Sequence, residues 1–329
     1  MTLARDFPFV VINRLFHRVY RKQQLQFWSH VGYNPNIAVP RRYHEKMLWR
    51  KLFDRNPLFT VFCDKLATKE FIRGRAPELR VPETLWVGTN VEDIPASLLQ
   101  RPLVIKCNHS SSSNWFWRPG ISNLEVISNE STKHLAQVYG ADTYETDYRD
   151  VPRVLFAEEL VEGFETDGVV DIMVRAADGK AIIASLITQN KTDHMKLGYF
   201  ELDGSRAGFD KPSARTADRS LGYEPLRDDF TVPGSFAEAV SYAEKLSRGV
   251  DYARFDFLCG PRGLYAGEIT VYPAAGLTPA TGATMSSAET RVNDRWDLRK
   301  SWFLSTPREG WRRFYAGMLS KEFERGAVR

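Results

Sequence analysis

The sequence has too few cysteines, set too far apart, for a disulfide framework or a zinc site. Among its 329 residues the three cysteines are Cys63, Cys107 and Cys259. An odd number without close spacing indicates neither cross-links nor metal ligation. A reducing compartment is the simplest setting for such a chain, and we expect a cytoplasmic protein.

Long hydrophobic runs and a strong excess of one charge are also missing. The longest apolar run near the start, residues 7–12, is too short for a membrane-spanning helix and for most signal-peptide cores. The net charge is only +4, from 45 basic and 41 acidic residues. So mild a charge argues against a nucleic-acid partner and fits an enzyme with an anionic ligand.

The motifs of the commonest nucleotide and hydrolase sites are absent. The chain contains no GxxxxGK[ST], no GxGxxG after a strand, and neither HExxH nor GxSxG. The histidines are scattered without metal-ligand spacing, and residues 44–46 are predicted to form one turn of a solvated helix. Any nucleotide or metal site must therefore be built from other residues.

The periodicity of apolar residues predicts an α+β protein. Helices are expected over residues 42–53, 62–73 and 235–249, where apolar side chains recur at helical spacing. Strands are expected over residues 81–87, 103–107, 151–160, 167–175, 180–187, 252–258 and 263–272. Asp178-Gly179, between two of these strands, predicts a tight hairpin. The expected division is a helical N-terminal segment (1–60), two α/β lobes (61–155 and 156–285) and a helical basic tail (286–329).

Basic residues alternate with large apolar ones near both ends of the chain. The members of this pattern are Arg14, Leu15, Phe16, Arg18, Val19, Tyr20, Arg21, Lys22, Leu25, Phe27, Arg312, Arg313, Phe314 and Tyr315. A helix of this composition either packs on its own domain or lies on a membrane surface. Peripheral contact with a membrane or a lipid-linked glycan is therefore one of two expectations.

Residues 103–114 place a lysine at the end of an apolar strand, followed by a small polar loop. A buried strand rarely ends in a lysine such as Lys106 without an anionic partner. The small residues of the loop, 110–113, let backbone N–H groups approach a phosphate, and their hydroxyls add donors. The alternative is a mobile serine-rich surface loop behind a lysine that reaches solvent.

Two carboxylates, Asp256 and Glu268, lie on consecutive predicted strands near opposing positions of a hairpin. Like charges in such positions repel unless a cation lies between them. Carboxylate oxygens suit Mg²⁺, and Thr270 on the same face of its strand could supply another oxygen. The alternative is an ordinary solvated hairpin face.

Two weaker signals complete the set of candidate residues. Glu158, Glu159 and Leu160 end an apolar strand, where backbone groups and an acid could hold adenine and ribose. Lys65 begins a helix after a turn and could reach phosphates from a second side. Acidic strand ends and exposed helix lysines are common, so each has a purely structural alternative.

Taken in order, these segments resemble the TupA-like ATP-grasp family, which is associated with bacterial cell-surface polysaccharides. The resemblance covers roughly residues 40–285. Its segments are Glu45-Lys46 with Trp49, residues 52–60 (LFDRNPLFT), Asp64-Lys65, 104–109 (VIKCNH), 157–160 (AEEL), Asp171, 178–180 (DGK), 254–257 (RFDF) and 267–273 (GEITVYP). The DRNP segment with Asp64-Lys65, and the GEITVYP segment, are the most specific.

The resemblance implies an ATP-grasp fold, in which two α/β lobes clamp ATP, and a set of site residues. The implied ATP-binding residues are Lys65, Lys106, Asn108, Ser110, Ser111, Ser112, Glu158, Glu159 and Leu160. Asp256, Glu268 and Thr270 are implied to bind Mg²⁺. Lys106 and Arg254 are the implied catalytic residues, with Arg254 stabilising an acyl phosphate.

The sequence departs from the family pattern at three places. Serines occupy residues 110–113, where family members have glycines, and Met173 stands where a lysine is expected. Ala274 and Ala275 follow the GEITVYP segment, where the family tends to continue with glycines. These departures keep a non-catalytic nucleotide-binding scaffold open as an alternative.

The function implied is an ADP-forming carboxylate–amine (or carboxylate–thiol) ligase that uses ATP and Mg²⁺. Its partners would be ATP, a carboxylate substrate and an amine or other nucleophile, either of them glycan-linked. The other alternative is a kinase that phosphorylates a sugar hydroxyl with the same magnesium–ATP site.

Overall fold

The computed structural model describes residues 3–111, 113–163, 168–190, 194–208, 224–279 and 286–326. The helices are α1 (Leu3–Val19), α2 (Arg21–Val31), α3 (Tyr43–Phe53), α4 (Pro57–Cys63), α5 (Lys65–Arg75), α6 (Leu124–Ala136), α7 (Phe236–Ser247), α8 (Ser287–Arg295), α9 (Trp302–Ser305) and α10 (Gly310–Gly326). The strands are β1 (Thr84–Gly88), β2 (Leu103–Cys107), β3 (Asn114–Trp117), β4 (Leu155–Glu159), β5 (Val170–Ala177), β6 (Lys180–Thr188), β7 (Lys196–Phe200), β8 (Glu224–Pro225), β9 (Ala253–Gly260) and β10 (Gly263–Thr270). Helices at both ends of the chain therefore flank two blocks of strands, as the sequence predicts.

The strands form two sheets. The first sheet is antiparallel, with strand order β1-β4-β2-β3. The second has the order β10-β9-β5-β6-β7-β8, and its pairs are antiparallel except for the short β7–β8 pair. Because β4 pairs with β1 and β2, the predicted boundary at residue 155 would separate β4 from its own sheet. The four-segment division stays a prediction, and we propose that its central boundary falls after Glu159.

Side-chain caps determine where the helices before the first sheet begin. Asn56 accepts a hydrogen bond from the Leu58 N–H at 3.0 Å, and Pro57 opens α4. Asp64 ends α4 and accepts from the Ala67 N–H at 2.8 Å, so it also caps α5. The helix predicted over residues 62–73 therefore begins three residues later, and α4 before it was not predicted.

The two predicted hairpins are confirmed. Asp178 and Gly179 join β5 to β6 with φ angles of 43° and 80°, the left-handed backbone that such a two-residue turn needs. β9 and β10 pair from Gly260 and Gly263 onward. Their register shifts between Ala266 and Ile269, where two residues of β10 face one residue of β9.

Helix α3 is buried on all sides, so the prediction of a solvated turn at residues 44–46 is wrong. His44 is fully buried, and Lys46 donates to the Trp296 carbonyl at 2.7 Å. Arg50 donates to the Asp251 carboxylate at 2.9 Å and to the Val271 carbonyl at 3.0 Å. The charged side chains of α3 thus have partners inside the protein, where α2, α8 and the turn at Pro273–Gly276 pack on the helix. No described helix combines the length and hydrophobicity that crossing a membrane requires.

Candidate active site

A cavity of about 1010 Å³ is lined by residues from both sheets and from helix α5. Its charged and hydroxyl-bearing lining side chains include Lys65, Lys69, Lys106, Ser111, Glu158, Arg254, Glu268 and Thr270. A cavity that brings basic groups and carboxylates together can hold a multiply charged anion with a cation. Most of the predicted site residues are therefore gathered in one place.

Glu158 of β4 lies between two lysines. Lys106 of β2 forms an ion pair with one carboxylate oxygen, and Lys69 of α5 approaches the other at 2.7 Å. Lys69 also donates to the Pro82 carbonyl at 2.9 Å and the Thr84 hydroxyl at 2.8 Å. Cross-strand pairing of Val104 with Glu158 places the carboxylate beside Lys106. Glu158 therefore supplies the negative charge between the two ammonium groups.

Burial and neighbouring charges shift the pKa of all three groups. Burial would raise the pKa of Glu158, but Lys106 and Lys69 lower it below its ordinary value. Burial would lower the pKa of Lys106, but Glu158, Glu268 and Asp171 raise it above its ordinary value. The pKa of Lys69 is lowered, because for this side chain burial outweighs the attraction of Glu158. Lys106 is thus the more firmly protonated lysine of the two.

Lys65 reaches the cavity from the first turn of α5. Its ammonium group donates to the Ser110 carbonyl and lies 3.9 Å from a carboxylate oxygen of Glu268. Its side chain is mostly buried, with 12% exposed. Lys65 therefore links helix α5, the serine loop and the second sheet at one point.

Arg254, Asp256 and Thr270 lie together on one face of the β9–β10 hairpin. Arg254 donates to both carboxylate oxygens of Asp256, at 2.7 and 2.6 Å, and to the Thr270 hydroxyl at 3.2 Å. Burial would lower the pKa of Arg254, but Asp256 and Glu268 raise it. The guanidinium is therefore a permanent positive charge at the cavity wall.

The β10 irregularity brings Glu268 to the level of Asp256. A side chain at Gly267 would meet the Asp256 carbonyl at 2.7 Å, so only glycine allows the two strands this close. Glu268 is 45% exposed and Asp256 17% exposed, so solvent reaches both carboxylates. No three His, Cys, Asp or Glu side chains within the described ranges form a metal cluster. Two carboxylates and a hydroxyl still fit Mg²⁺, which retains water and substrate phosphates in its shell.

The described serines of the 110–113 loop differ in whether they line the cavity. Ser111 lines it, whereas Ser110 is fully buried and its hydroxyl bonds the Ser113 hydroxyl. Asn108 is buried too, and its amide oxygen accepts from the Leu66 N–H at 3.0 Å. Asn108 thus anchors the start of α5 rather than facing the cavity. Ser112 lies outside the described residues.

The three residues predicted to bind adenine differ in their position relative to the cavity. Glu158 lines the cavity, but its carboxylate forms ion pairs with Lys69 and Lys106. Glu159 accepts from the Glu83 N–H at 3.0 Å, and neither Glu159 nor Leu160 lines the cavity. Their contact with a nucleotide remains a prediction.

Sequence reasoning missed Lys69 and a whole wall of the cavity. Lys69 follows Lys65 by four residues, so it lies on the same face of α5, and this spacing was a usable signal. The wall is formed by residues 137–143 and by Glu145 and Tyr148, a segment without regular apolar periodicity. Glu145 is almost fully buried, and burial raises the pKa of its carboxyl group.

Two of the three departures from the family pattern, Met173 and the Ala274–Ala275 pair, lie near the site. Met173 of β5 is the direct cross-strand neighbour of Asp256, so the position where a lysine was expected lies on the same face of the sheet as Asp256. Ala274 and Ala275 line the cavity with φ angles of 48° and 53°, a left-handed backbone that glycine adopts without strain. Lys51 supports this turn by donating to the Ala275 carbonyl at 2.6 Å.

Solved structures similar to this chain include several ligases. A D-alanine–D-alanine ligase from Bacillus anthracis complexed with ATP is 17% identical, with 71% of this chain and 60% of that chain covered and a TM-score of 0.38. A D-alanine–D-alanine ligase from Helicobacter pylori is 12% identical, with 77% and 70% covered and a TM-score of 0.39. D-cycloserine synthetase DcsG is 15% identical, with 81% and 72% covered and a TM-score of 0.36. The chain thus spans about 60% of the length of the first of these structures, and none of these similarities assigns it an activity.

A comparison with curated proteins finds no match. The sequence model of the TupA-like ATPgrasp family, in contrast, matches residues 45–285. This match begins in helix α3, ends just before α8 and includes every lysine, arginine and carboxylate described at the cavity. The chain belongs to the TupA-like ATP-grasp family.

Proposed function

We propose that the protein is an ADP-forming ligase that uses ATP and Mg²⁺ to join a carboxylate to an amine or a thiol. The observation that supports this most directly is the meeting of Lys65, Lys106, Arg254 and Glu268 around one cavity, with Asp256 held beside it by Arg254. Three cations can neutralise a triphosphate and an acyl phosphate, and the carboxylates can hold Mg²⁺. Family membership supports the same chemistry.

The nucleotide would lie between Glu158 and Glu268. Lys65 and Lys106 would bind its phosphates, and Lys69 would add a third ammonium group from the same helix as Lys65. Asp256, Glu268 and Thr270 would hold Mg²⁺, which when bound neutralises phosphate charge. These groups supply electrostatic stabilisation, which is the main requirement of phosphoryl transfer.

The reaction would proceed in two steps. A substrate carboxylate oxygen attacks the γ-phosphorus, the bond to the β-phosphate oxygen breaks, and ADP leaves. Nitrogen or sulfur of the second substrate then attacks the carbonyl carbon, phosphate leaves, and the nucleophile loses its proton. Arg254 would hold the acyl phosphate, and the serine loop would exclude water that would otherwise hydrolyse it.

The substrates would enter beyond the phosphates, at the end of the cavity formed by residues 139–143, Glu145, Ala274 and Ala275. A uronic acid or amino acid on a glycan precursor is the class that the family's association with cell-surface polysaccharides favours. We propose a cytoplasmic location for this reaction, where ATP is available.

Nucleotide binding is expected to stabilise the fold. Magnesium–ADP or magnesium–ATP should raise the melting temperature, because a ligand that binds only the folded state stabilises it by about 2.7 kcal/mol at 100 times its Kd. Differential scanning fluorimetry should show a shift of several degrees. Absence of any shift at millimolar nucleotide, with GTP and CTP equally silent, would contradict an ATP site.

Product analysis should distinguish the ligase from the two alternatives. A ligase should release phosphate and ADP in equal amounts, and only when carboxylate and amine or thiol are both present. Mass spectrometry of carboxylate and nucleophile pairs with ATP should then show a condensed product. A phosphorylated sugar would identify a kinase instead. Nucleotide binding without ADP formation across the whole panel would favour a non-catalytic scaffold.

A further inference from the structure

Exposed apolar side chains are concentrated on three helices away from the cavity. Of the fourteen large apolar side chains that are exposed in the described residues, five lie on α1, two on α2 and two on α10. These nine are Phe7, Val10, Val11, Leu15, Val19, Leu25, Trp28, Trp311 and Phe314. An exposed set of this size on neighbouring elements indicates an interaction surface rather than scattered surface residues.

The helices that carry this set lie against one another. The ring of Phe16, on the inner side of α1, contacts Trp311 at 6.4 Å and Tyr315 at 5.2 Å between centroids, which places α10 beside α1. α2 follows α1 after one residue, and hydrogen bonds from the Tyr20 N–H to the Phe16 carbonyl and from the Gln24 N–H to the Tyr20 carbonyl, at 2.8 and 2.9 Å, join the two helices. We call the exposed side of α1, α2 and the start of α10 the terminal surface.

The terminal surface is apolar and basic together. On α1, Phe7, Val11 and Leu15 follow one another at four-residue spacing, and Arg14 and Arg18 lie on the same exposed side. The remaining exposed basic residues of the surface are Arg21, Lys22, Arg312 and Arg313. α2 has no acidic residue. Long basic side chains beside apolar ones are typical of helices that lie in a lipid interface.

We propose that the terminal surface binds an anionic lipid bilayer. Its apolar side chains would enter the boundary between headgroups and acyl chains, and its arginines and lysine would pair with lipid phosphates. A second copy of this chain is a poorer occupant, because two such surfaces would bring like charges together. The proposal goes beyond the ligase activity and does not depend on it.

The surface adjoins the substrate end of the cavity. Gln26, on α2, donates to the Asp142 carbonyl at 2.6 Å, and Asp142 belongs to the cavity wall. A bilayer bound to the outer side of α2 would therefore lie one helix away from the end of the cavity where we place the substrates. This arrangement suits a substrate that is itself held at a membrane surface.

Flotation with vesicles tests the proposal. The intact chain should float with vesicles of phosphatidylcholine and phosphatidylglycerol in equal parts, and much less with phosphatidylcholine alone. The triple variant Phe7→Ser, Val11→Ser and Leu15→Ser should reduce the vesicle-bound fraction by about tenfold or more. Arg14→Gln or Arg18→Gln should each weaken binding by about fivefold, more at low salt than at high salt.

A matched control removes exposed apolar side chains from another part of the chain. The triple variant Val87→Ser, Ile121→Ser and Val126→Ser should float like the unaltered protein, since these side chains are equally exposed but lie outside the terminal surface. Retention of the far-UV circular dichroism spectrum shows that each variant is folded. Failure of the intact chain to float at low salt would overturn the proposal. So would equal flotation of both triple variants, or a dimer that only the first triple variant dissociates.

Discussion

Lys106→Ala should lower ATP-dependent turnover by on the order of 100-fold or more while leaving the protein folded. Lys106 combines a raised pKa with a position at the cavity wall, so its charge is fixed where a transferring phosphoryl group would need it. The fold should survive because Glu158 keeps Lys69 as its partner at 2.7 Å. Steady-state ADP release, with thermal unfolding measured beside it, checks both parts of this expectation.

Two further variants make the Lys106 experiment specific. Lys106→Arg should not restore full activity, because a planar guanidinium cannot take the place of a compact ammonium group in this buried pair with Glu158. Lys245→Ala is the matched control, since it removes a lysine that pairs with Glu78 on the surface. Unchanged turnover in Lys106→Ala, or an equal loss in the Lys245→Ala control, would remove Lys106 from the site.

The parts of the site that the sequence predicted depend on local signals. An apolar strand ending in Lys106, the Asp178-Gly179 turn and the alternation of Arg254 and Asp256 are all visible within a few residues. Family resemblance then joined these segments into one site, and the match over residues 45–285 confirms the family. These segments could be predicted from the sequence because each signal depends only on residues that are close to it in the chain.

The parts that the sequence did not predict depend on contacts between distant residues. The position of the Glu158 carboxylate between Lys69 and Lys106 was not predicted, because neither lysine is near Glu158 in the chain. The burial of α3 depends likewise on Asp251 and other partners roughly two hundred residues away. Single-sequence periodicity marks which side chains are polar, but not which of them find a buried partner.

The bulge in β10 is a subtler case. Alternation of side chains predicted that Asp256 and Glu268 share a face of their hairpin, and a register slip of one residue would have separated them. In the structure Glu268 does lie opposite Asp256, but through a bulge and not through simple alternation, because Gly267 and Glu268 together face Asp256. Only a glycine at 267 permits this, so the glycine of the GEITVYP segment has a steric reason to be there.

Asp256→Asn and Glu268→Gln should each lower magnesium-dependent turnover by on the order of 100-fold or more, and their losses should be far from additive. Glu268 lines the cavity and Asp256 is held beside it by the cavity-lining Arg254, so a shared ion would lie between the two carboxylates. Because two ligands serve one ion, loss of the first already removes most of what the second contributes. Neither variant should be stabilised by magnesium with ADP as the unaltered protein is.

The free energy of unfolding measured without ligand should differ between the Asp256→Asn and Glu268→Gln variants. Asp256 accepts two hydrogen bonds from Arg254, so Asp256→Asn should cost roughly 1–2 kcal/mol of apo stability. Glu268 is 45% exposed and lies 3.9 Å from the ammonium group of Lys65, so Glu268→Gln should be nearly neutral. Equal activity losses with unequal stability losses would show that the activity depends on the ion and not on folding.

The chain offers a closely matched control for this experiment. Arg227 donates to both carboxylate oxygens of Asp229, at 3.0 and 2.6 Å, with the same two-residue spacing as Arg254 and Asp256 but outside the cavity. Asp229→Asn should leave turnover and its magnesium dependence unchanged. If Asp256→Asn or Glu268→Gln instead kept near-normal activity at limiting magnesium, the two carboxylates would not share an ion. Asp256 would then serve only to hold Arg254, and the hairpin would bind the acyl phosphate without contributing to metal binding.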